Sequence, residues 1–485
     1  MTKFENFLIK NGSYINGKWH NEGDKTFDVK NPVDGSKIKT LIDATDKDLD
    51  EAIQGARDAL PAWRAKTATE RANILRRWYD LIMKNQEELA HIMTMEQGKP
   101  LKEARAEIAY GASYVEWFAE EAKRIYGDTI PGPTPDRRIV VIKQPVGVVA
   151  AVTPWNFPSS MITRKVAPAL AAGCTVLTKP AKETPLSAIA LAVLAEEAGI
   201  PAGVFNMVVT TRSREVGVTI CEDPRIDKIS FTGSTGVGAR LLSQCGATVK
   251  KASMELGGNA PFIVFDDADL DAAVEGAIIS KYRNAGQTCV CTNRLLVQAG
   301  IHDAFAEKFT ARVKELKMGN GVDDGVDIGP LVNVPALETV DALVQEAVIA
   351  GAKLVTGGKR SDLGACFYEP TVLSNVDMSM KVATKEIFGP VAPLIKFDTE
   401  EEAIEIANDT IFGLASYFYT RDIGRIWRVA EALEYGMVGI NEGIISNPMA
   451  PFGGIKQSGL GREGSKYGIQ EYLEVKYLCM GGIDK

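Results

Sequence analysis

From Val148 onward the chain changes rhythm, and that rhythm restricts its fold more than any other feature. Short apolar runs alternate with segments of helical periodicity. Val148–Val152 precedes a helix ending at Ala172, Thr175–Lys179 precedes Leu186–Ala198, and Val204–Val209 and Lys228–Phe231 repeat the pattern. After Glu255 the alternation restarts with Pro261–Phe265, a helix over Leu270–Arg283, Arg294–Val297 and a helix over His302–Lys317. It continues through Val391–Ile395, Glu400–Asn408, Ser416–Tyr419, Arg425–Leu433 and Gly436–Ile440. A strand that is apolar on both faces needs cover on both, and a helix after each strand supplies it. The fold class is therefore α/β with parallel sheets, in two successive units.

The first third reads differently. A short β-rich start gives way to helical periodicity over Asp46–Leu60, Thr67–Lys84, Gln86–Gln97 and Leu101–Tyr126, whose apolar positions are read as core and given no function. Gly127–Pro135 is broken by glycine and proline. Arg137–Lys143 reads as a strand, and Gln470–Met480 as an isolated strand that can pair with it in a small sheet outside both units. A chain of 485 residues suggests roughly three domains.

Several classes are disfavoured. A net charge of −8 argues against a nucleic-acid or anionic-membrane surface. Met1–Phe7 lacks the charged-then-apolar pattern of a signal peptide, and the apolar stretch near Val166–Thr178 is short and contains Pro168. Seven scattered cysteines fit reduced thiols and a cytoplasmic location. Cys289 and Cys291 have no second Cys or His cluster, so no metal site is expected.

Cys289 lies in a Gly-rich turn, Asn284-Ala-Gly-Gln-Thr-Cys289, and Glu255 stands in Met254-Glu-Leu-Gly-Gly258 upstream. The pair suggests a nucleophile and a base that work without histidine, since His20, His91 and His302 lie in no motif. Ser230-Phe-Thr-Gly233-Ser234-Thr-Gly236-Val-Gly238 passes from strand to helix, where glycines admit a pyrophosphate; a plain tight turn explains it equally. Thr153-Pro154-Trp155-Asn156-Phe-Pro158 follows an apolar strand, at the edge where open α/β sheets bind ligands. Asn156 there is an oxyanion donor or an Asn satisfying its own turn. Lys179, at the end of another strand, reads as a donor to a ribose hydroxyl with Lys182 a second positive charge nearby, or both as solvated loop charges; Glu386-Ile-Phe388-Gly-Pro390 reads only as a turn.

Taken in order, Pro-Trp-Asn-Phe-Pro, Lys-Pro-Ala, Phe-Thr-Gly-Ser, Glu-Leu-Gly-Gly, Gly-Gln-Thr-Cys, Glu-Ile-Phe-Gly-Pro and Pro451-Phe-Gly-Gly-Ile-Lys456 closely resemble the aldehyde dehydrogenase superfamily over essentially the whole chain. The resemblance implies two Rossmann-like α/β domains and a small β oligomerisation element. Residues 1–126 and 145–255 would form the cofactor-binding domain, 256–460 the catalytic domain, and 127–144 with 461–485 the oligomerisation element of a dimer or tetramer. It implies Cys289 as nucleophile, Asn156 and the Cys289 N–H as oxyanion donors, and Glu255 as the activator of the hydrolytic water. Lys179 and Glu386 would bind ribose hydroxyls, Gly233 and Ser234 the pyrophosphate, and Phe388 would pack near the nicotinamide. Thr153, Pro154, Trp155, Ala181 and Leu256 would complete the cofactor site.

Through Met161-Ile-Thr-Arg164-Lys, Tyr282-Arg283-Asn-Ala-Gly-Gln-Thr-Cys-Val-Cys291 and Gly443-Ile-Ile-Ser446-Asn447 the chain looks, within the superfamily, most like the succinate-semialdehyde dehydrogenases, which implies a small aldehyde with a distal carboxylate held by Arg164, Arg283 and Ser446. Glutarate semialdehyde, one methylene longer, is the alternative. Lys182, where NAD-preferring relatives often carry Glu, implies NADP, with NAD as the alternative, and Arg212 could add charge near the adenosine. Cys291 is either a packing thiol or the partner of a reversible Cys289–Cys291 disulfide. The presence of Glu255 disfavours a CoA-acylating relative, and the presence of Cys289, Glu255 and Asn156 disfavours a catalytically silent one.

Overall fold

The structure is a computed structural model and describes residues 8–484. Met1–Phe7, the segment read above for a signal pattern, and Lys485 lie outside the described residues.

Two large sheets carry the chain. The first has eight strands, in the spatial order Gly459–Leu460, Lys251–Glu255, Lys228–Thr232, Val148–Val152, Thr175–Lys179, Phe205–Met207, Ser13–Ile15 and Lys18–His20. Its middle five are parallel and its edges antiparallel. The second has seven, in the order Lys353–Thr356, Thr371–Ser374, Val391–Phe397, Thr292–Gln298, Ala260–Val264, Ala415–Tyr419 and Met437–Ile440, parallel except at its first edge. The buried strands are apolar on both faces, as parallel sheets covered by helices require.

Register explains why distant motifs meet. Val152 lies opposite both Lys179 and Phe231, and Thr232 opposite Glu255. Thr153, Lys179, Gly233 and Glu255 therefore share one carboxyl edge, where ligands of such sheets bind. From Glu255 the chain runs straight through Leu256–Asn259 into Ala260–Val264 of the second sheet. The carboxyl edge of the first sheet thus adjoins the amino edge of the second, which carries the turn before Thr292 and the turn before Val391.

The helices begin where their sequences cap them. Thr45 with Asp48, and Thr67 with Glu70, form capping boxes ahead of Asp46–Arg64 and Ala68–Lys84. The helix from Leu101 ends at Glu121, short of the expected Tyr126, and one 3₁₀ turn over Ala122–Arg124 follows.

Leu473–Met480 pairs antiparallel with Arg138–Pro145, as the sequence suggested, although Gln470–Tyr472 form a 3₁₀ turn rather than strand. The Gly/Pro-rich stretch also holds a third strand of this sheet, Asp128–Pro131. Its residues are all exposed, so no apolar pattern marks it. Among the described residues no helix is long and apolar enough to cross a membrane, and no cluster of His, Cys, Asp and Glu could hold a metal ion.

Candidate active site

The edge of the first sheet forms one wall. The Lys179 ammonium donates to Ser213 Oγ at 2.6 Å, and burial lowers its pKa to about 8, against an upward pull from Glu183. Gly233 is needed for space, because a Cβ there would stand 2.5 Å from the Phe231 ring. The helix Thr235–Cys245 starts without a side-chain cap, and the N–H groups of Ser234, Thr235 and Gly236 have no acceptor among the described residues. Such a start suits a phosphate. Glu386 Oε1 accepts the Gly258 N–H at 3.0 Å, and burial lifts its carboxyl to about 7. A Cβ on Gly257 would lie 2.9 Å from its other oxygen.

Phe388 sits at φ +54, a strained conformation for an aromatic residue, with its ring edge-on to Trp155 at 5.5 Å. The Thr153 hydroxyl is buried with no partner among the described residues, Pro154 and Trp155 are half-buried, and Ala181 and Leu256 are buried on the same edge. These features fit a dinucleotide. Lys182 is exposed and makes no ion pair among the described residues. Arg212 is different: its guanidinium pairs with Asp46, so much of its charge is already balanced.

The opposite wall is the turn that carries Cys289. Asn284, Ala285 and Gly286 are consecutive left-handed residues, at φ +53, +54 and +74. The Asn284 N–H is fixed by the half-buried Glu103 carboxylate at 2.9 Å. Asn156 Nδ2 donates to Gln287 O at 3.1 Å, which spends one of its two hydrogens. The Cys289 N–H has no acceptor among the described residues. Cys291 points elsewhere: its thiol donates to Gly286 O at 3.3 Å and lies 3.7 Å from the buried Lys281 Nζ.

Burial pushes the Cys289 thiol up to about 12; Arg164 and Arg283 pull it down, while Glu386 and Glu255 push it further up. The thiolate is the reactive form, so its fraction grows with pH below that value. Alkylation of Cys289 by iodoacetamide, followed on its tryptic peptide, should therefore speed up roughly tenfold per unit between about pH 7 and 10 without levelling. A plateau below about pH 9 would contradict this assignment.

Glu255 ends its strand with a buried carboxyl. Burial first, and then Glu463, raise its pKa well above the usual range, with Arg164, Lys165 and Arg462 opposing. Among the described residues its Oε2 has no hydrogen-bond partner.

Behind Cys289 lies a cavity of about 280 Å³, and Arg164, Arg283 and Ser446 all line it. Arg164 is only 1% exposed, pairs with Glu463 at 2.6 Å and lies 3.9 Å over the Phe452 ring. Arg283 makes no ion pair among the described residues and faces the Phe157 ring at 5.5 Å, which leaves it the freer cation. The sequence reading missed Lys99, Glu103, Glu107 and Tyr110, which also line the cavity. The available signal was Glu103 and Glu107 four apart on one helix face.

A cysteine between an amide donor and a buried carboxyl, at the seam of two α/β sheets and beside a dinucleotide-type edge, matches one class of oxidoreductase. The aldehyde dehydrogenase family model matches residues 19–478, and the chain belongs to that family of NAD(P)-dependent enzymes. It is 60% identical over 477 residues to a glutarate-semialdehyde dehydrogenase of Pseudomonas aeruginosa, covering 98% of this chain and 99% of that protein. It is 58% identical over 476 residues to the NADP(+)-dependent succinate-semialdehyde dehydrogenase GabD of Escherichia coli, covering 98% of each. A crystal structure of the succinate-semialdehyde dehydrogenase of Burkholderia pseudomallei matches with a TM-score of 0.97 at 57% identity, over 99% of this chain and 100% of that one. The family and the fold class expected from the sequence both hold.

Proposed function

We propose that this enzyme oxidises succinate semialdehyde to succinate with NADP as hydride acceptor, through a thioester at Cys289. One observation carries the reading: the nucleophile opens into the same cavity as two arginines and Ser446. A guanidinium holds a carboxylate in a planar, two-pronged geometry, which suits an aldehyde whose far end is an acid.

The Cys289 thiolate adds to the aldehyde carbon, and the oxyanion that forms meets the second Asn156 Nδ2 hydrogen and the free Cys289 N–H. Lys179 and Glu386 would hold the ribose hydroxyls and Gly233 and Ser234 the pyrophosphate, Phe388 and Trp155 would pack near the nicotinamide, and Lys182 would favour a 2′-phosphate. The chemistry the cofactor supplies there is acceptance of the substrate's hydride. Glu255 then takes a proton from the water that cleaves the thioester, releasing the acid and the thiol.

A second reading is favoured by the Pseudomonas aeruginosa relative, which is named for glutarate semialdehyde. One methylene discriminates by only about 1–3 kcal/mol. Steady-state kcat/KM for succinate semialdehyde, glutarate semialdehyde and butyraldehyde, with NADP and with NAD, in wild type and Arg283→Ala, separates these readings. The acid aldehydes should exceed butyraldehyde by roughly 100-fold, and Arg283→Ala should remove most of that margin, because losing one partner of a buried charge contact costs about 2–5 kcal/mol. Succinate semialdehyde should lead, and NADP should exceed NAD. Equal rates for butyraldehyde would overturn the carboxylate reading, faster glutarate semialdehyde would favour the second, and faster NAD would overturn the Lys182 argument.

We also propose that copies assemble through the small sheet. Val475 is 69% and Tyr477 61% exposed on its terminal strand, an apolar edge that a second copy would cover.

A further inference from the structure

We propose that Lys99 is a positioning residue of the catalytic centre: with Glu107 it grips the main chain of Asn156 and so aims the oxyanion donor. The inference rests on the reading of Asn156 given above.

The Lys99 and Glu107 side chains are each 1% exposed, with Nζ 2.5 Å from Glu107 Oε2. The same Nζ donates to Asn156 O at 2.8 Å and lies 4.0 Å over the Phe157 ring. Two of the three ammonium hydrogens are taken by Glu107 Oε2 and Asn156 O, and the Phe157 ring covers another side of the Nζ. Lys99 borders the substrate cavity, and its one direct hold on the catalytic loop is the main chain of Asn156. Its action on the reaction runs through that contact.

Glu107 fixes the other end of the loop. Its Oε1 accepts the N–H groups of Ser159 at 3.0 Å and Ser160 at 3.2 Å, at the start of the helix Ser160–Ala172. The segment from Asn156 to Ser160 is thus held at both ends by one buried ion pair. The nucleophile turn reaches the same carbonyl, with Asn284 Nδ2 donating to Asn156 O at 2.9 Å. Gln97 ties the two holds together: its Oε1 accepts the Lys99 N–H at 2.9 Å, and its Nε2 donates to Asn284 Oδ1 at 2.9 Å.

A buried ion pair is a poor source of stability, because desolvation offsets most of its attraction. A pair that holds one loop at both ends is better understood as fixing that loop. Rate depends steeply on the placement of such a group, and a shift of about 1 Å can cost roughly 100-fold.

The test is a cycle with succinate semialdehyde and saturating NADP. It compares wild type, Asn156→Ala, the charge-balanced pair Lys99→Met with Glu107→Gln, and all three substitutions together. The pair should lower kcat about 10–100-fold and leave KM within about threefold. In the Asn156→Ala background the same pair should cost less than about threefold. Alkylation of Cys289 by iodoacetamide, which forms no oxyanion at Asn156, should stay within about twofold.

An unchanged kcat, or the same loss in both backgrounds, overturns the proposal. A wild-type kcat in Asn156→Ala alone overturns the oxyanion reading itself, and the proposal with it. If the pair does not fold, Glu107→Gln alone replaces it, with a kcat loss again confined to the background that retains Asn156 as support and an equal loss in both as refutation.

Discussion

Cys289→Ala is expected to abolish turnover, with kcat falling by about 10⁴-fold or more. Removing a nucleophile from a preorganised site has effects of that order, because binding and oxyanion stabilisation then have no covalent step to act on. No neighbour can substitute. Thr288 also lines the cavity, but its hydroxyl is directed at Arg283 O, 3.5 Å away. His20 is paired with Asp48 and His302 with Asp303, neither near the cavity. Cys291 faces Lys281 and Gly286. Following NADPH absorbance with succinate semialdehyde checks this, and a variant rate within tenfold of wild type would contradict the assignment of the nucleophile.

Glu255→Gln should behave differently. Steady-state kcat is expected to fall about 100–10,000-fold, the range for loss of a general base, while one equivalent of NADPH per active site still forms quickly. The first half of the reaction needs the thiolate and the oxyanion donors, whereas the second needs a base for water. The direction of the Glu255 shift adds a pH signature. With its carboxyl raised by burial and by Glu463, the basic form grows as pH rises above the ordinary carboxylate range. Wild-type deacylation should climb with pH there, and the Gln variant should lose that limb. Loss of the NADPH burst in Glu255→Gln would move Glu255 into the first half-reaction.

Much of the fold is legible because each middle strand is an apolar run closed by a helix. Val148–Val152, Thr175–Lys179 and Glu400–Asn408 stand in the structure as the sequence bounds them. Lys251–Glu255 escapes that reading because it is partly polar, lies next to the sheet edge and pairs outward only with Gly459–Leu460. Asp128–Pro131 hides in a Gly/Pro stretch, since a fully exposed strand needs no apolar alternation.

The site shows the same split. Cys289, Glu255 and Asn156 are marked by the turns that hold them, and register brings those turns together. Lys99 and Glu463 carry no local mark, and Glu103 and Glu107 only their spacing, because a charged residue in a helix or loop ordinarily faces water. Only the packing of the helix Leu101–Glu121 against Ser160–Ala172 takes Glu107 inside. The pairing of Arg164 with Glu463 likewise joins residues far apart in the chain.

The central claim is that oxidation passes through an acyl group on Cys289. The most direct measurement is peptide mass analysis of Glu255→Gln protein, quenched in acid after one turnover with succinate semialdehyde and NADP. The account predicts one succinyl group per active site on the peptide bearing Cys289, removed by hydroxylamine as a thioester would be. NADPH formed in that turnover with Cys289 unmodified, or the succinyl group on another residue, would contradict it.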